Sequence, residues 1–203
     1  RPRLLVMGSG WAAHALVKII DADLYRLLVV SPRNFFIFTP MLAASSVGTV
    51  EYRSITEPMR AANPTAGFIE GVCVDIDTTK RIARVETALR EDRRDATGVL
   101  GAEDTQERCY ALNYDRLVYA VGTQSSDIGI PGVASHCFFL KGLQDARRFR
   151  QAVGDALERA TQPSLTDDER RRILTFLVVG GGATGVELTG ELCDFLRDAA
   201  LAR

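Results

Sequence analysis

Apolar positions along the chain form two short continuous runs, each broken by a glycine cluster and followed by helical spacing. Leu4–Met7 is the first run and predicts a strand. Ala15, Leu16, Ile19 and Ile20 then recur at helical intervals, which predicts a helix over Ala12–Ile20. Leu27–Val30 predicts a second strand. The same order returns late in the chain, with a strand over Ile173–Val179 and a helix over Gly185–Leu196. Between these units, Gly67–Asp77 and Arg81–Thr87 read as strands around the turn Asp77–Lys80, and Tyr114–Val121 reads as a buried strand. Leu143, Ala146, Phe149, Val153 and Leu157 give an amphipathic helix from Leu143 to about Ala160, ended by Gln162 and Pro163. Ser31–Thr49 is apolar but punctuated by Pro32, Pro40 and Gly48, so it reads as an ordered loop. Ser54 with Glu57, and Thr166 with Glu169, have capping-box spacing; the first pair predicts a short helix to about Ala62. Arg90–Arg108 is polar and charged and reads as a loose hairpin tip or insertion.

The glycine clusters are GSGWAA at Gly8–Ala13 and GGGATG at Gly180–Gly185. A G-x-G-x-x-G/A turn between a strand and a helix is the setting of a dinucleotide site. Gly8 permits the tight turn, Gly10 lets the backbone approach a pyrophosphate, and Ala13 lets the helix pack close to the strand. The helix N-terminus then offers free N–H groups and a partial positive charge to the phosphates. Two such turns in one chain imply two cofactors brought together, as in hydride transfer between nicotinamide and flavin.

Composition narrows the remaining classes. The 203 residues are 46% hydrophobic with net charge −1, ample for a globular core. The balance is too neutral for nucleic acid to be the main partner. The arginine runs at Arg147–Arg150 and Arg170–Arg172 read as solvated helix faces. Cys73, Cys109, Cys137 and Cys193 are scattered, with no C-x-x-C pair and no zinc spacing, so no metal is expected. His14 and His136 lack a serine or cysteine partner at recognisable spacing, which leaves no hydrolase triad. No run reaches the roughly 18 apolar residues of a membrane span. The chain opens on Arg with a strand almost at once, so a preceding portion carrying any targeting segment is expected.

The order GSGWAA, SPRNFFIFTPML, VGTVEYRSITEPMR, YDRLVYAVGTQ, IPGV, FLK and RRRILTFLVVGGGATGVELTGEL closely resembles type II NADH dehydrogenases, from about residue 3 to about residue 196. These are the single-subunit, non-proton-pumping NADH:quinone oxidoreductases. The SPRN-x-F-x-FTP and GTVE-x-RSI-x-EP segments resemble the mitochondrial-type members. The resemblance implies an α/β flavoprotein with two dinucleotide-binding domains: a Rossmann-like FAD domain carrying a β-hairpin or meander insertion, then the truncated start of a Rossmann-like NADH domain. The bounds implied are 1–142, a connecting helix and linker over 143–172, and 173–203.

The same resemblance implies site roles. Gly8, Ser9, Gly10, Trp11, Ala12 and Ala13 would hold the FAD pyrophosphate. Ser31, Pro32 and Arg33 would lie beside the adenosine ribose, where many Rossmann proteins carry an acid instead. Thr39, Pro40 and Met41 would approach the ribityl chain and flavin. Cys73 and Val74 would meet the adenine, and Ala120, Val121, Gly122 and Gln124 would close over the FAD. Gly180, Gly182, Ala183, Thr184 and Gly185 would hold the NADH pyrophosphate. Glu187, placed in the first turn of the second helix, is the catalytic candidate near the nicotinamide–flavin junction. Ala183 stands where the family usually has proline. The acid that selects NADH over NADPH would fall at or beyond Arg203, about 20 residues or more past the glycines, so NADH rests on the resemblance alone.

The implied activity is hydride transfer from NADH to FAD and then electrons to a membrane quinone. The expected location is the periphery of the mitochondrial inner membrane, with membrane contact made through a C-terminal part beyond Arg203, and a homodimer is compatible. The 203 residues alone are expected not to turn over. Two alternatives stay open: another two-Rossmann pyridine-nucleotide flavoprotein, such as an apoptosis-inducing-factor-like protein, and a truncated non-catalytic nucleotide-binding protein. Disulfide reductases and sulfide oxidation both need paired cysteines, which are absent here.

Overall fold

Arg3–Met7 (β1) is the strand that the first apolar run predicts, and Leu5, Val6 and Met7 in it are almost wholly buried. In the computed structural model, which describes residues 1–87 and 109–201, β1 lies mid-sheet. Gly8 and Gly10 turn the chain into Trp11–Ile19 (α1), and the chain returns as Arg26–Ser31 (β2), parallel to β1 with Met7 opposite Val30. After Phe35–Ile37 (β3) come Leu42–Val47 (α2), Thr56–Pro58 (β4) and Met59–Ala62 (α3). Gly67–Asp77 (β5) then serves two arrangements. Its first residues run parallel to β2, and from Gly71 onward it runs antiparallel to Ile82–Thr87 (β6). Cys109–Asn113 (β7) continues antiparallel on β6, and Arg116–Tyr119 (β8) closes the other side of β1, again parallel.

The resulting sheet order is β7-β6-β5-β2-β1-β8. Its parallel part, β5-β2-β1-β8, is the opening of a doubly wound sheet, with β1 at the position where strand order reverses. The antiparallel part is the hairpin insertion that the sequence predicts. One face of the sheet packs Leu4, Val6, Val29 and Phe68 against Ala13 and Val17 of α1. The other face gathers Leu5, Met7, Val30, Ala83 and Val85. Alternation along β1 thus sends successive residues to opposite cores, as a strand buried on both faces requires. The stretch Arg90–Arg108 lies outside the described residues.

The chain divides into two compact units, Arg1–Phe36 with Glu57–Thr123, and Ile37–Thr56 with Gln124–Arg203. The second unit is helical. It holds α2 together with Val133–His136 (α4), Leu143–Ala160 (α5), Asp167–Ile173 (α6) and Ala183–Leu201 (α7). The bounds of α5 match the amphipathic pattern. Thr166 and Glu169 form the predicted capping box, with backbone N–H to carboxylate at 2.8 Å in one direction and N–H to hydroxyl at 3.3 Å in the other. The Thr166 N–H, and then the Thr166 hydroxyl donating to the same carboxylate oxygen at 2.7 Å, hold the Glu169 carboxyl below the usual carboxylate range. Val47, Val153 and Leu192 form the core shared by α2, α5 and α7.

Three expectations are corrected. Ser31–Thr49 is not wholly irregular, because it contains β3 and α2, and all six residues of α2 are buried. Ser54 and Glu57 do not cap a helix. Residues Tyr52–Ile55 form a 3-10 turn, Glu57 lies in β4, and α3 begins only after Pro58. Ile173–Val179 is not a strand. Ile173 ends α6, and the residues after Leu174 form no strand pairing among the described residues, with Leu177 and Val179 over four-fifths exposed. A βα pair cannot bury both faces of a lone strand. Helix α7 nevertheless docks through Leu192, and Phe176 packs against the same cluster, while no strand pairs with the segment around Phe176 among the described residues. Amide exchange should therefore be near-intrinsic at Leu177–Val179 and strongly slowed at Leu4–Met7. Equal protection of the two segments would contradict this arrangement.

Candidate functional site

Three chain segments end at one edge of the parallel sheet and build the first cradle. The register sets Met7 opposite both Val30 and Tyr119, so Gly8, Ser31 and Ala120 emerge side by side. The Gly8 N–H donates to Val30 O at 2.8 Å, and the Ala120 N–H donates to Met7 O at 2.9 Å. Gly8 takes φ +113°, and a Cβ there would collide with the Ala120 carbonyl. Its glycine is required by the protein's own packing. Gly10, the N-cap of α1, has an ordinary φ of −84° and no protein atom within 4 Å of a Cβ built on it. Gly122, at φ +72°, likewise faces open space.

The N-terminus of α1 carries no side-chain cap and no acidic residue in its first turn. An acid-free helix start presents its dipole favourably to an anion. The open space at Gly10 and this acid-free helix start fit the diphosphate of a dinucleotide. Ser9 and Ser31, both buried, bond each other through their hydroxyls at 2.9 Å, and the Arg33 N–H donates to Ser31 Oγ at 3.2 Å. Arg33 Nε donates to Phe35 O at 3.0 Å, and burial lowers the guanidinium from its ordinary value. Pro32 is exposed beside them. The structure thus gathers Ser9, Ser31 and Arg33 into one polar cluster. Ala12 lies exposed on α1, while Ala13 is fully buried against the sheet, the close packing that the third motif position serves.

Cys73 and Val74 lie just past the parallel part of β5, at a register shift between Cys73 and Asp75. Val74 is the extra residue of that bulge and half exposed, and burial pushes the Cys73 thiol up. Val121 and Gly122 follow β8, both exposed.

The remaining candidates lie in the second unit. Thr39, Pro40 and Met41 form an exposed 3-10 turn before α2, and Gln124 is exposed. Gly180 takes φ +120°, close to the +113° of Gly8. A Cβ on Gly185 would collide with the Gly180 carbonyl, while Gly181 and Gly182 face open space. Helix α7 starts at Ala183, ahead of the predicted start, with Thr184 exposed in its opening turn. The earlier start moves Glu187 out of the first turn, which holds no acid; its side chain is exposed. The second cradle therefore repeats the left-handed turn and the acid-free helix start of the first.

Sequence reasoning missed one cluster beside the first cradle. His14, buried on α1, shares a 2.9 Å hydrogen bond between Nε2 and Glu57 Oε2, and Lys18 Nζ reaches the same oxygen at 2.9 Å. The Lys18 hydrogen bond, then that of His14, hold the Glu57 carboxyl below the usual carboxylate range, against an opposing effect of burial. No local spacing signals a contact between residues so distant in sequence.

The family model described as pyridine nucleotide-disulphide oxidoreductase matches residues 2–201. The chain belongs to this family. Within the family, it is 38% identical over 201 residues to external alternative NAD(P)H-ubiquinone oxidoreductase B2, mitochondrial, of Arabidopsis thaliana, covering 98% of this chain and 33% of the relative. It is 39% identical over 200 residues to external NADH-ubiquinone oxidoreductase 2, mitochondrial, of Saccharomyces cerevisiae, covering 97% and 34%. Among solved structures, NDH2 from Plasmodium falciparum in complex with NADH superposes with a TM-score of 0.85 at 28% identity, covering 98% of this chain and 38% of that one. The resemblance to type II NADH dehydrogenases and the Rossmann-like α/β fold are borne out. The chain spans about a third of the length of the curated relatives it matches.

Proposed function

We propose that this chain is the cofactor-binding portion of an NAD(P)H:quinone oxidoreductase, with FAD held at the first cradle and the nicotinamide dinucleotide at the second. The observation that carries the reading is the repeated turn: Gly8 at φ +113° and Gly180 at φ +120°, each before a helix with no acid in its first turn. Gly8, Gly10 and the first N–H groups of α1 would bind the FAD diphosphate, Ser31 and Arg33 would face its ribose, and Cys73 and Val74 its adenine. Thr39, Pro40 and Met41, with Ala120 to Gly122 and Gln124, would line the flavin end. Gly180, Gly182, Ala183, Thr184 and Gly185 would bind the second diphosphate. When bound, the flavin supplies a ring that accepts a hydride from NADH and passes electrons on to a quinone. The residues themselves bind, orient and exclude water; no side-chain nucleophile is called for. Glu187 is the residue we assign to proton management near the nicotinamide.

The relatives' names support a quinone as electron acceptor, a mitochondrial setting and NAD(P)H as donor. The finer placement, at the inner-membrane surface and as a homodimer, belongs to the same proposal. No helix among the described residues is long and apolar enough to cross a membrane.

The visible absorption spectrum of the purified chain, taken after gel filtration away from excess FAD, tests the first cradle. Retention of the flavin band at one equivalent per chain is the expected result. A folded but colourless protein would overturn the claim that these residues hold the flavin.

A further inference from the structure

A half-buried cation beside the first glycine turn is matched by no carboxylate among the described residues. Arg33 follows β2. Its Nε donates to the Phe35 carbonyl at 3.0 Å and reaches Ser9 Oγ, within the glycine turn, at 3.4 Å. Its Cζ stands 5.5 Å from the centre of the Phe35 ring. Neither terminal nitrogen has a hydrogen-bond or carboxylate partner among the described residues. Glu70 stands opposite Ser31 in the register of β5 with β2, but its Oε2 accepts from Asn34 Nδ2 at 3.0 Å and makes no ion pair with Arg33. Burial lowers the guanidinium from its ordinary value. A guanidinium drawn part-way out of water without a counter-charge has lost hydration that an anion would replace.

The place of this cation in the fold says which anion. The second strand of a Rossmann-like unit ends beside the adenosine ribose. An acid there bonds the ribose hydroxyls, whereas a nearby arginine accommodates a 2′-phosphate. Here Ser31 holds the acid's place, with its hydroxyl donated to Ser9 Oγ at 2.9 Å, and Arg33 follows two residues later. FAD carries no phosphate on that ribose, so the arrangement exceeds what a flavin cradle needs.

We propose that the first cradle also takes adenine nucleotides phosphorylated on the ribose 2′-oxygen, that the Arg33 guanidinium pairs with that phosphate, and that such a nucleotide competes there with FAD. The planar fork of a guanidinium meets two phosphate oxygens at once. The ligand class is the NADP-type dinucleotide and its adenosine 2′,5′-bisphosphate half. The inference rests on the reading that this cradle holds an adenine dinucleotide.

Adenosine 2′,5′-bisphosphate and adenosine 5′-monophosphate differ by that one phosphate. Isothermal titration calorimetry of the flavin-free chain with each gives the phosphate's contribution as a ratio of affinities. In the wild type the bisphosphate should bind at least about tenfold tighter, the scale of a charge-assisted pair. The ratio should shrink as KCl is raised. Arg33→Met should abolish the difference between the two nucleotides, whereas a general loosening of the cradle would weaken both alike and leave the ratio unmoved. Arg33→Lys should keep part of it, because a point charge replaces the fork. The bisphosphate should also displace bound FAD, read as recovery of free-flavin fluorescence. Equal affinities in the wild type, a ratio indifferent to salt, a ratio that survives in Arg33→Met, or a bisphosphate that leaves FAD in place would overturn the proposal. An Arg33-dependent ratio in a chain that binds no FAD would overturn the flavin reading alone.

Discussion

Replacing Gly8 by alanine should cost about 3–5 kcal/mol of unfolding free energy, at the upper end of single-substitution effects. Two penalties add. A backbone at φ +113° strains any residue with a Cβ, by about 1–3 kcal/mol. That Cβ would also sit on the Ala120 carbonyl, a backbone group unable to swing aside. The Ala120 N–H is tied to Met7 O at 2.9 Å, and the Gly8 N–H to Val30 O at 2.8 Å, so relief would require parting β8 from β1. Urea denaturation of the flavin-free chain measures the effect as a fall in midpoint at an unchanged slope. A loss below about 1 kcal/mol would mean that β8 does not press on the turn as described.

This sensitivity explains why the first unit was legible from sequence. Leu4–Met7, Gly8, Gly10 and Ala13 each satisfy a local rule that the tertiary fold also enforces. The α5 bounds were legible for a similar reason, since a long helix with one apolar face carries many repeats of its period. Helix α2 was not. Leu-Ala-Ala-Ser-Ser-Val is only six residues, small and buried on every side, so no amphipathic stripe exists to read. Its helicity comes from packing against α5 and α7.

The misread segments fail in instructive ways. Ser54 and Glu57 have capping-box spacing, yet the carboxylate goes to His14 and Lys18 across the fold, because a charge-assisted pair there outweighs an exposed cap. Ile173–Val179 has the composition of a buried strand, but a strand exists only by pairing, and none of the described residues pairs with it. The glycine motif that follows survives without that ladder, since Gly180 and Gly185 contact each other directly. The site's glycines were therefore legible from sequence, while the His14, Phe36 and Glu57 cluster emerged only from the structure.

Gly10→Val separates cofactor binding from folding more cleanly than any other substitution in the cradle. Gly10 already has a φ that valine accepts, and no protein atom lies within 4 Å of a Cβ placed there. The chain itself gives no reason for glycine at this position. The expected loss of stability is therefore about 1 kcal/mol or less, the scale of a poorer N-cap. The added methyls enter the open space before the acid-free start of α1, where a diphosphate must approach the backbone closely. FAD affinity should fall about a hundredfold or more, equivalent to ~2.8 kcal/mol. Flavin titration followed by fluorescence quenching, alongside urea denaturation of the same protein, measures both quantities. A variant that binds FAD as tightly as the wild type would place the cofactor elsewhere. One that unfolds as readily as Gly8→Ala would mean that Gly10, like Gly8, is held by the protein's own packing.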